Sequence, residues 1–414
     1  MLAVFLHSRL RLVSLHSRRT FLRRCAAGLA GSALLPSILP VRATPTAFTA
    51  QIGHLVLKPS ATAAATAVRE GGAMGAEEAA YNAELFGTTL AYEPVVVDSR
   101  EALLAAAPDL AATSDVLVVH IPDADMLERV VETARAVDTL VLNAGTRTDR
   151  LRGRACDTHL FHVMASDAQF IDALVSWMAA STDIGRVSVV RDASGDPTPY
   201  WTYAAERLSD AGIEVAEPVP MEAAASDPPP AADALWLDLR GSVQRRALDR
   251  MTEVPFPVVC PHLTHATVGR ATGPVLWHPA LFKYGASEVS DRFAARANQP
   301  MHSLAYAHWV AMQVTGDALL QVNGTDTDAL RTHLRTGTRF DGRKAAPLTF
   351  RPWNQQMRHE MYIVEPEANP SEGAPLTGSV AASVPARMPE TVAARRTALD
   401  ALGRSAEASA CSLS

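Results

Sequence analysis

The chain has 414 residues, 48% of them hydrophobic and 20% charged, with a formal net charge of −6 and four cysteines. Such an acidic chain is no polycation for nucleic acid or anionic lipid, and it is long enough for two domains that each bury a core. No stretch reaches the ~20 apolar residues of a spanning helix.

Residues Ser17-Arg18-Arg19-Thr20-Phe21-Leu22-Arg23 fit a twin-arginine export signal. A weakly apolar run from Ala26 to Leu39, broken by Pro36, leads to a small-residue cleavage site ending at Val41-Arg42-Ala43. Residues 1–43 hold seven arginines and no acidic residue, so their removal takes the formal charge from −6 to −13. The expectation is a chain released into the periplasm. Arg23 and Arg24 precede Cys25, which is not a lipoprotein pattern.

Short apolar strands then alternate with helical stretches. Ile52–Leu57, Ala91–Val97, Asp115–His120 and Thr139–Leu142 read as strands, with an Ala-rich helix through Glu84 and a second from Asp123 to Ala136. Leu151–Leu174 reads as a strand running straight into a helix, with Phe161, Val163 and Ala165 alternating and Ser166 or Asp167 as the cap. A second series follows: strands Arg186–Arg191, near Val215, Ala234–Asp238 and Pro257–Cys260, with a helix from Tyr200 to Ala211 and a proline loop at 226–230. Residues 281–334 read as mostly helical, and Leu348–Arg351 and Met361–Val364 as extended. Two successive series of this kind predict an α/β chain of two doubly wound lobes with parallel sheets. The tail after Glu367, rich in Pro, Ala, Ser and Glu, is expected to be disordered except for a short helix near Thr391–Leu402.

Several segments carry a resemblance. The Phe161-His162 strand entering Ser166-Asp167, the helix Gly72–Ala79, Trp277-His278-Pro279-Ala280 with Gly285-Ala286, and Phe350-Arg351-Pro352-Trp353-Asn354-Gln355-Gln356-Met357-Arg358 together resemble the type I periplasmic solute-binding proteins of ABC transporters, the Leu/Ile/Val- and amide-binding family. Met357 stands where that family usually has Leu. The run Leu151-Arg152-Gly153-Arg154-Ala155-Cys156 before Leu160-Phe161-His162 resembles a branch associated with PQQ-dependent alcohol dehydrogenase systems. The resemblance implies three crossovers joining the lobes, with lobe 1 from 51–160 plus 281–340, lobe 2 from 161–280 plus 341–366, and a tail from 367–414.

In open α/β sheets ligands sit beyond the carboxyl ends of strands. That rule selects the loops His120-Ile121-Pro122-Asp123 and Asn143-Ala144-Gly145-Thr146-Arg147, and the resemblance points to the same two. His120, Asp123, Asn143 and Thr146 are the expected ligand-binding residues of lobe 1, although Asp123 equally reads as a helix N-cap and Asn143 as a turn residue. In lobe 2 the expected contacts are Tyr200 and Trp201, where the family places an aromatic, and Asp238 with Arg240 beyond a buried strand; core packing and a solvated carboxylate are the competing readings. If Asp123 and Asp238 both face the cleft, an alcohol, amine or cation is favoured over an anion. Phe161, His162, Trp277, Arg351 and Trp353 are expected to be structural, Arg351 and Trp353 by satisfying hinge carbonyls.

No Gly-x-Gly-x-x-Gly follows the first strand, and neither a Walker loop nor a Gly-x-Ser-x-Gly elbow occurs. Cys156-x-x-His159-x-x-His162 and Cys260-x-His262-x-x-His265 have metal-compatible spacing, but residues three apart on a strand point to opposite faces. The expectation is no metal, no cofactor and no catalytic residue. Cys156 and Cys260 are read as free thiols or, alternatively, as a disulfide, and Cys411 as having no role. Function is expected to be that of a monomeric periplasmic binding component that passes a small polar solute to an ABC permease, with a ligand-sensing subunit or a periplasmic hydrolase as alternatives.

Overall fold

The computed structural model describes residues 47–226, 232–251, 254–264, 267–367 and 378–413. The export signal, the prolines at 228–230 and His265 lie outside them.

The first sheet is wholly parallel, in the order β2-β1-β3-β4-β5. Its strands are β1 (Thr49–Leu57), β2 (Thr89–Val97), β3 (Val116–His120), β4 (Leu140–Asn143) and β5 (Leu160–His162), with α1 (Thr62–Glu84), α2 (Arg100–Thr113) and α3 (Ala124–Ala136) between the first four. Every residue of β3 is buried, as befits a central strand covered by helices on both faces. In α3 the residues Met126, Leu127, Val130, Val131 and Ala134 form one apolar stripe against the sheet, and the opposite face is polar.

The chain then leaves β5 for α4 (Asp167–Ser181), which a reciprocal Ser166–Gln169 capping box starts. A second parallel sheet, β7-β6-β8-β9, is built from β6 (Arg186–Arg191), β7 (Glu214–Pro220), β8 (Ala234–Leu237) and β9 (Val258–Val259), with α5 (Trp201–Asp210), α6 (Met221–Ser226) and α7 (Gly241–Arg250) as connections. Beyond β9 the chain forms β10 (Gly273–Val275), then α8 (Ala286–Ala297), α9 (Ser303–Val322) and α10 (Thr327–Thr332), and finally β11 (Met361–Glu365), β12 (Ser379–Val384) and α11 (Val392–Asp400). The antiparallel trio β10-β11-β12 adjoins β9 through Thr272, whose carbonyl accepts from Cys260 N and whose N–H donates to Val258 O.

Helix α9 is buried on nearly all sides because α1 covers it on one face and the first sheet on the other. Its two neighbours leave no polar face, which explains the absence of helical periodicity in Ser303–Val322.

Three passages connect the two sheets. After β5, His162 N donates to Gln355 O and His162 O accepts from Met357 N (both 2.9 Å), so the passage at 354–358 runs beside the first one. Phe161 meets Phe350 edge-on at 5.1 Å between ring centres. At the passage after β10, Trp277 stacks on Tyr306 with centres 4.5 Å apart, and its indole N–H donates to Ser290 Oγ at 3.0 Å. Buried Arg152 gathers these strands, donating to Thr148 O and Met164 O (2.7 Å each) and to Gln356 Oε1.

The tail differs from the expected disorder. Residues 378–413 add β12 to the antiparallel sheet and pack α11 onto Arg351 and Arg358, whose guanidiniums both bond Asp400. Arg351 donates to Leu399 O and Leu402 O, carbonyls of the tail rather than of the hinge. Trp353 Nε1 is buried without a partner among the described residues, and its ring instead lies under Arg351 and Arg358. Cys156 forms a disulfide with Cys411, and among the described residues Cys260 is the free, buried thiol. A segment that returns to the far sheet was invisible to spacing rules confined to neighbouring residues.

Candidate functional site

The loops after β3 and β4 face the starts of α4 and α7 across a cleft of about 440 Å³. From the first sheet come His120, Pro122, Gly145, Thr146 and Arg147; from the second, Asp167, Pro199, Arg240, Gly241, Gln244, His262 and Thr264.

Asn143 shapes the first of these walls without lining it. Its side-chain carbonyl accepts from the N–H groups of Gly145 and Thr146 (2.9 Å each), and its amide donates to Thr146 O at 2.8 Å. The loop so formed presses against the strand before it. A Cβ on Gly145 would stand 2.6 Å from Ile121 N, so only glycine permits this approach.

Charge meets across the cleft, from Arg147 on the first wall and from Asp167 and Arg240 on the second. Arg240 donates to Asp167 Oδ2 at 2.7 Å, and Arg147 lies 3.3 Å from His262 Nδ1, which is itself 3.5 Å from Asp167 Oδ1. Aromatic faces hold both guanidiniums in place: Arg147 sits 4.4 Å from the centre of Phe170, and Arg240 sits 4.3 Å from that of Tyr200. Burial alone would raise the Asp167 carboxyl, but the Arg240 and Arg147 guanidiniums outweigh it and hold the group below the usual carboxylate range. Burial drives His262 well below its ordinary value, so the ring is neutral. Two guanidiniums against one carboxylate leave the cleft with an excess positive charge. Asp167 Oδ1, Gln244 Oε1 and His262 Nε2 are buried there with no hydrogen-bond partner among the described residues.

Helix termini add to the same polarity. Helix α3 is capped by Asp123, whose Oδ1 accepts from Asp125 N and Met126 N, and α4 by Ser166. Helix α7 begins after Arg240 with no side-chain cap, and its first residue, Gly241, lines the cleft. Its unpaired N–H groups and dipole favour an anionic group.

Of the residues expected from sequence, His120 and Thr146 line the cleft. Tyr200 lies directly beneath it, its ring 4.1 Å from that of His262. Three others are placed elsewhere. Asp123 is spent on capping α3 and on an ion pair with Arg100 at 2.8 Å. Asp238 is buried in an ion pair with Arg191 at 2.9 Å and accepts from Thr198 Oγ1. Trp201 packs against Trp236 under the Arg191 guanidinium. The inference toward an alcohol, amine or cation, which needed both aspartates in the cleft, therefore falls. The first metal-compatible run, from Cys156 to His162, is likewise dispersed: Cys156 is in its disulfide, His159 pairs with Asp138 and Asp157, and His162 lies against Leu151 O at 3.1 Å. Among the described residues no group of His, Cys, Asp and Glu is arranged to hold a metal ion.

Sequence reading passed over Arg147, Asp167, Gln244, His262 and Thr264 as ligand contacts. Arg147 stood at the end of a loop already selected and Arg240 next to Asp238, so proximity was the available signal.

Residues 49–235, a little under half of the chain, match the family model described as periplasmic binding protein. No curated protein matches the chain. Among solved structures, a periplasmic binding protein from Burkholderia mallei is 15% identical with a TM-score of 0.67, covering 88% of this chain and 99% of its own. The branched-chain amino acid substrate-binding protein LivJ of Streptococcus pneumoniae, solved with isoleucine, is 13% identical with a TM-score of 0.66, covering 81% and 98%. A solute-binding protein of an ABC transporter from Rhodopseudomonas palustris, solved with 3,4-dihydroxybenzoic acid, is 14% identical with a TM-score of 0.59, covering 76% and 92%. Among the described residues no helix is long and apolar enough to cross a membrane. Over residues 49–235 the chain is similar to periplasmic binding proteins, and its two parallel-sheet units with their helices have the α/β fold of the type I proteins of that kind.

Proposed function

We propose that this protein is the periplasmic substrate-binding component of an ABC transporter, capturing a small polar solute with an anionic oxygen group and delivering it to an inner-membrane permease. The lobes that close on the solute are residues 51–160 plus 281–340 and 161–280 plus 341–366, and the protein acts as a monomer exported by its twin-arginine signal. The observation that carries this reading is the pair Arg147 and Arg240 beside the uncapped start of α7, opposed by a single carboxylate. Guanidiniums present paired N–H donors that match a carboxylate in plane.

The Leu151–Cys156 run before Leu160-Phe161-His162 supports a place beside PQQ-dependent alcohol oxidation. Carboxylic acids are end products of alcohol oxidation, which agrees with the charge of the cleft.

A thermal-shift screen of matched carboxylates, alcohols, aldehydes, amines and amides tests the reading. A carboxylate present at 100 times its Kd stabilises the folded state by about 2.7 kcal/mol and raises Tm. Hits confined to amines, or chemical turnover of any hit, would refute it.

A further inference from the structure

Lobe 1 contains an unbroken chain of hydrogen-bonding rings that ends in the cleft. Tyr92 Oη, on β2, lies 2.9 Å from His54 Nδ1 on β1; His54 Nε2 lies 3.1 Å from His308 Nδ1 on α9; His308 Nε2 lies 3.3 Å from His120 Nδ1 at the end of β3. His54 and His308 are fully buried, whereas His120 lines the cleft. Each ring is therefore joined to its neighbours through opposite nitrogens. Burial holds His54 down to about 3 and His120 to about 4, and keeps His308 well below its usual range, with the neighbouring rings adding to the effect on His54 and His308. All three rings are neutral at neutral pH, so each carries one N–H and one lone pair.

Such a chain has two consistent proton arrangements, each the reverse of the other. In one, Tyr92 O–H donates to His54 Nδ1, every histidine carries its proton on Nε2, and His120 Nε2–H faces the cleft. In the other every proton sits on Nδ1 and the Tyr92 hydroxyl must accept from His54. Its only protein partner among the described residues is His54 Nδ1, so the reversed arrangement leaves its proton without a protein acceptor. A phenol is also acidic enough to be the better donor of such a pair. The surroundings preserve this end of the chain. Gly72 of α1 leaves room where a Cβ would come within 2.6 Å of His54 Cε1 and 2.9 Å of His54 Nδ1.

We propose that Tyr92, His54, His308 and His120 form a relay that fixes His120 as an N–H donor toward the cleft, so that the solute group seated against it is an acceptor oxygen. This rests on reading the cleft as the solute site. Tyr92, His54 and His308 are positioning residues that act through His120.

Nitrogen-15 NMR of the ligand-free, full-length protein tests the relay. The expected spectrum shows neutral His54, His308 and His120, each with a pyridine-type Nδ1 and a pyrrole-type Nε2. Tyr92→Phe removes the terminal donor, and His120, three rings away, then averages between its two tautomers, its nitrogen signals moving toward each other. His359, whose Nε2 lies 2.7 Å from Val163 O, remains unchanged and reports that the fold is intact. Gly72→Ala gives the same His120 shift by displacing the His54 ring. Opposed tautomers within the chain, protons on Nδ1, a charged ring at neutral pH, or a His120 signal indifferent to Tyr92→Phe would each overturn the proposal. No solute is present in this measurement, so its failure leaves the carboxylate screen untouched, and an empty screen leaves the tautomers to be read.

Discussion

At the scale of single residues, chain neighbours act in opposite directions. Asp238 points into a buried ion pair with Arg191, while Arg240, two positions on, opens into the cleft. In a continuing strand residues two apart would share a face, but β8 ends at Leu237, so alternation no longer fixes where Asp238 and Arg240 point. That is why the loops were legible in the sequence while the direction of Asp123, Asp238 and Arg147 was not. Lys344 provides a test away from the cleft. It is buried, donates to Glu360 O at 2.7 Å, lies against the rings of Tyr306 and Tyr362, and burial lowers it from its ordinary 10.5 to about 7. Between those values the unfolded chain holds a proton that the folded chain has released, so stability rises with pH across that window. Urea unfolding from pH 6 to 10 should show Lys344→Met lacking this part of the rise. Parallel profiles for variant and wild type would show that Lys344 does not titrate in this window.

At the scale of elements, local patterns were sufficient where a helix or strand faces one partner. The stripe of α3 and the Ser166 cap of α4 could be read directly, since each depends on residues three or four apart. Helix α9 and strand β12 depend on partners far along the chain, and composition misled at the tail because Pro, Ala and Ser also suit a segment docked on a finished surface. The Cys156–Cys411 disulfide closes a sequence separation of 255 residues, tying the tail to the loop before β5. Cross-links of this kind contribute about 2–4 kcal/mol, chiefly by restricting the unfolded chain. Cys411→Ser is expected to lower Tm by several degrees under non-reducing conditions, with dithiothreitol lowering wild type to the same value. Equal melting of variant and oxidised wild type would show that the tail is held by Arg351, Arg358 and Asp400 alone.

At the scale of the whole molecule, two parallel sheets meet over a cleft whose walls carry few apolar side chains and an excess of positive charge. The repeated strand–helix order disclosed the fold because parallel sheets require crossover helices. The proposed recognition surface was disclosed only in outline, since it is assembled from residues as distant as His120 and Thr264. Arg147 and His262 touch across the cleft, so its two walls already share a polar contact that the proposed solute would join or replace. The most direct measurement is a calorimetric titration of the tightest carboxylate from the screen into wild type, Arg147→Met and Arg240→Met. One solute per chain is expected in wild type, with affinity about 10- to 100-fold weaker in each variant, the loss of one charge-assisted hydrogen bond of about 1.5–3 kcal/mol. Undiminished affinity in both variants would contradict the proposed function.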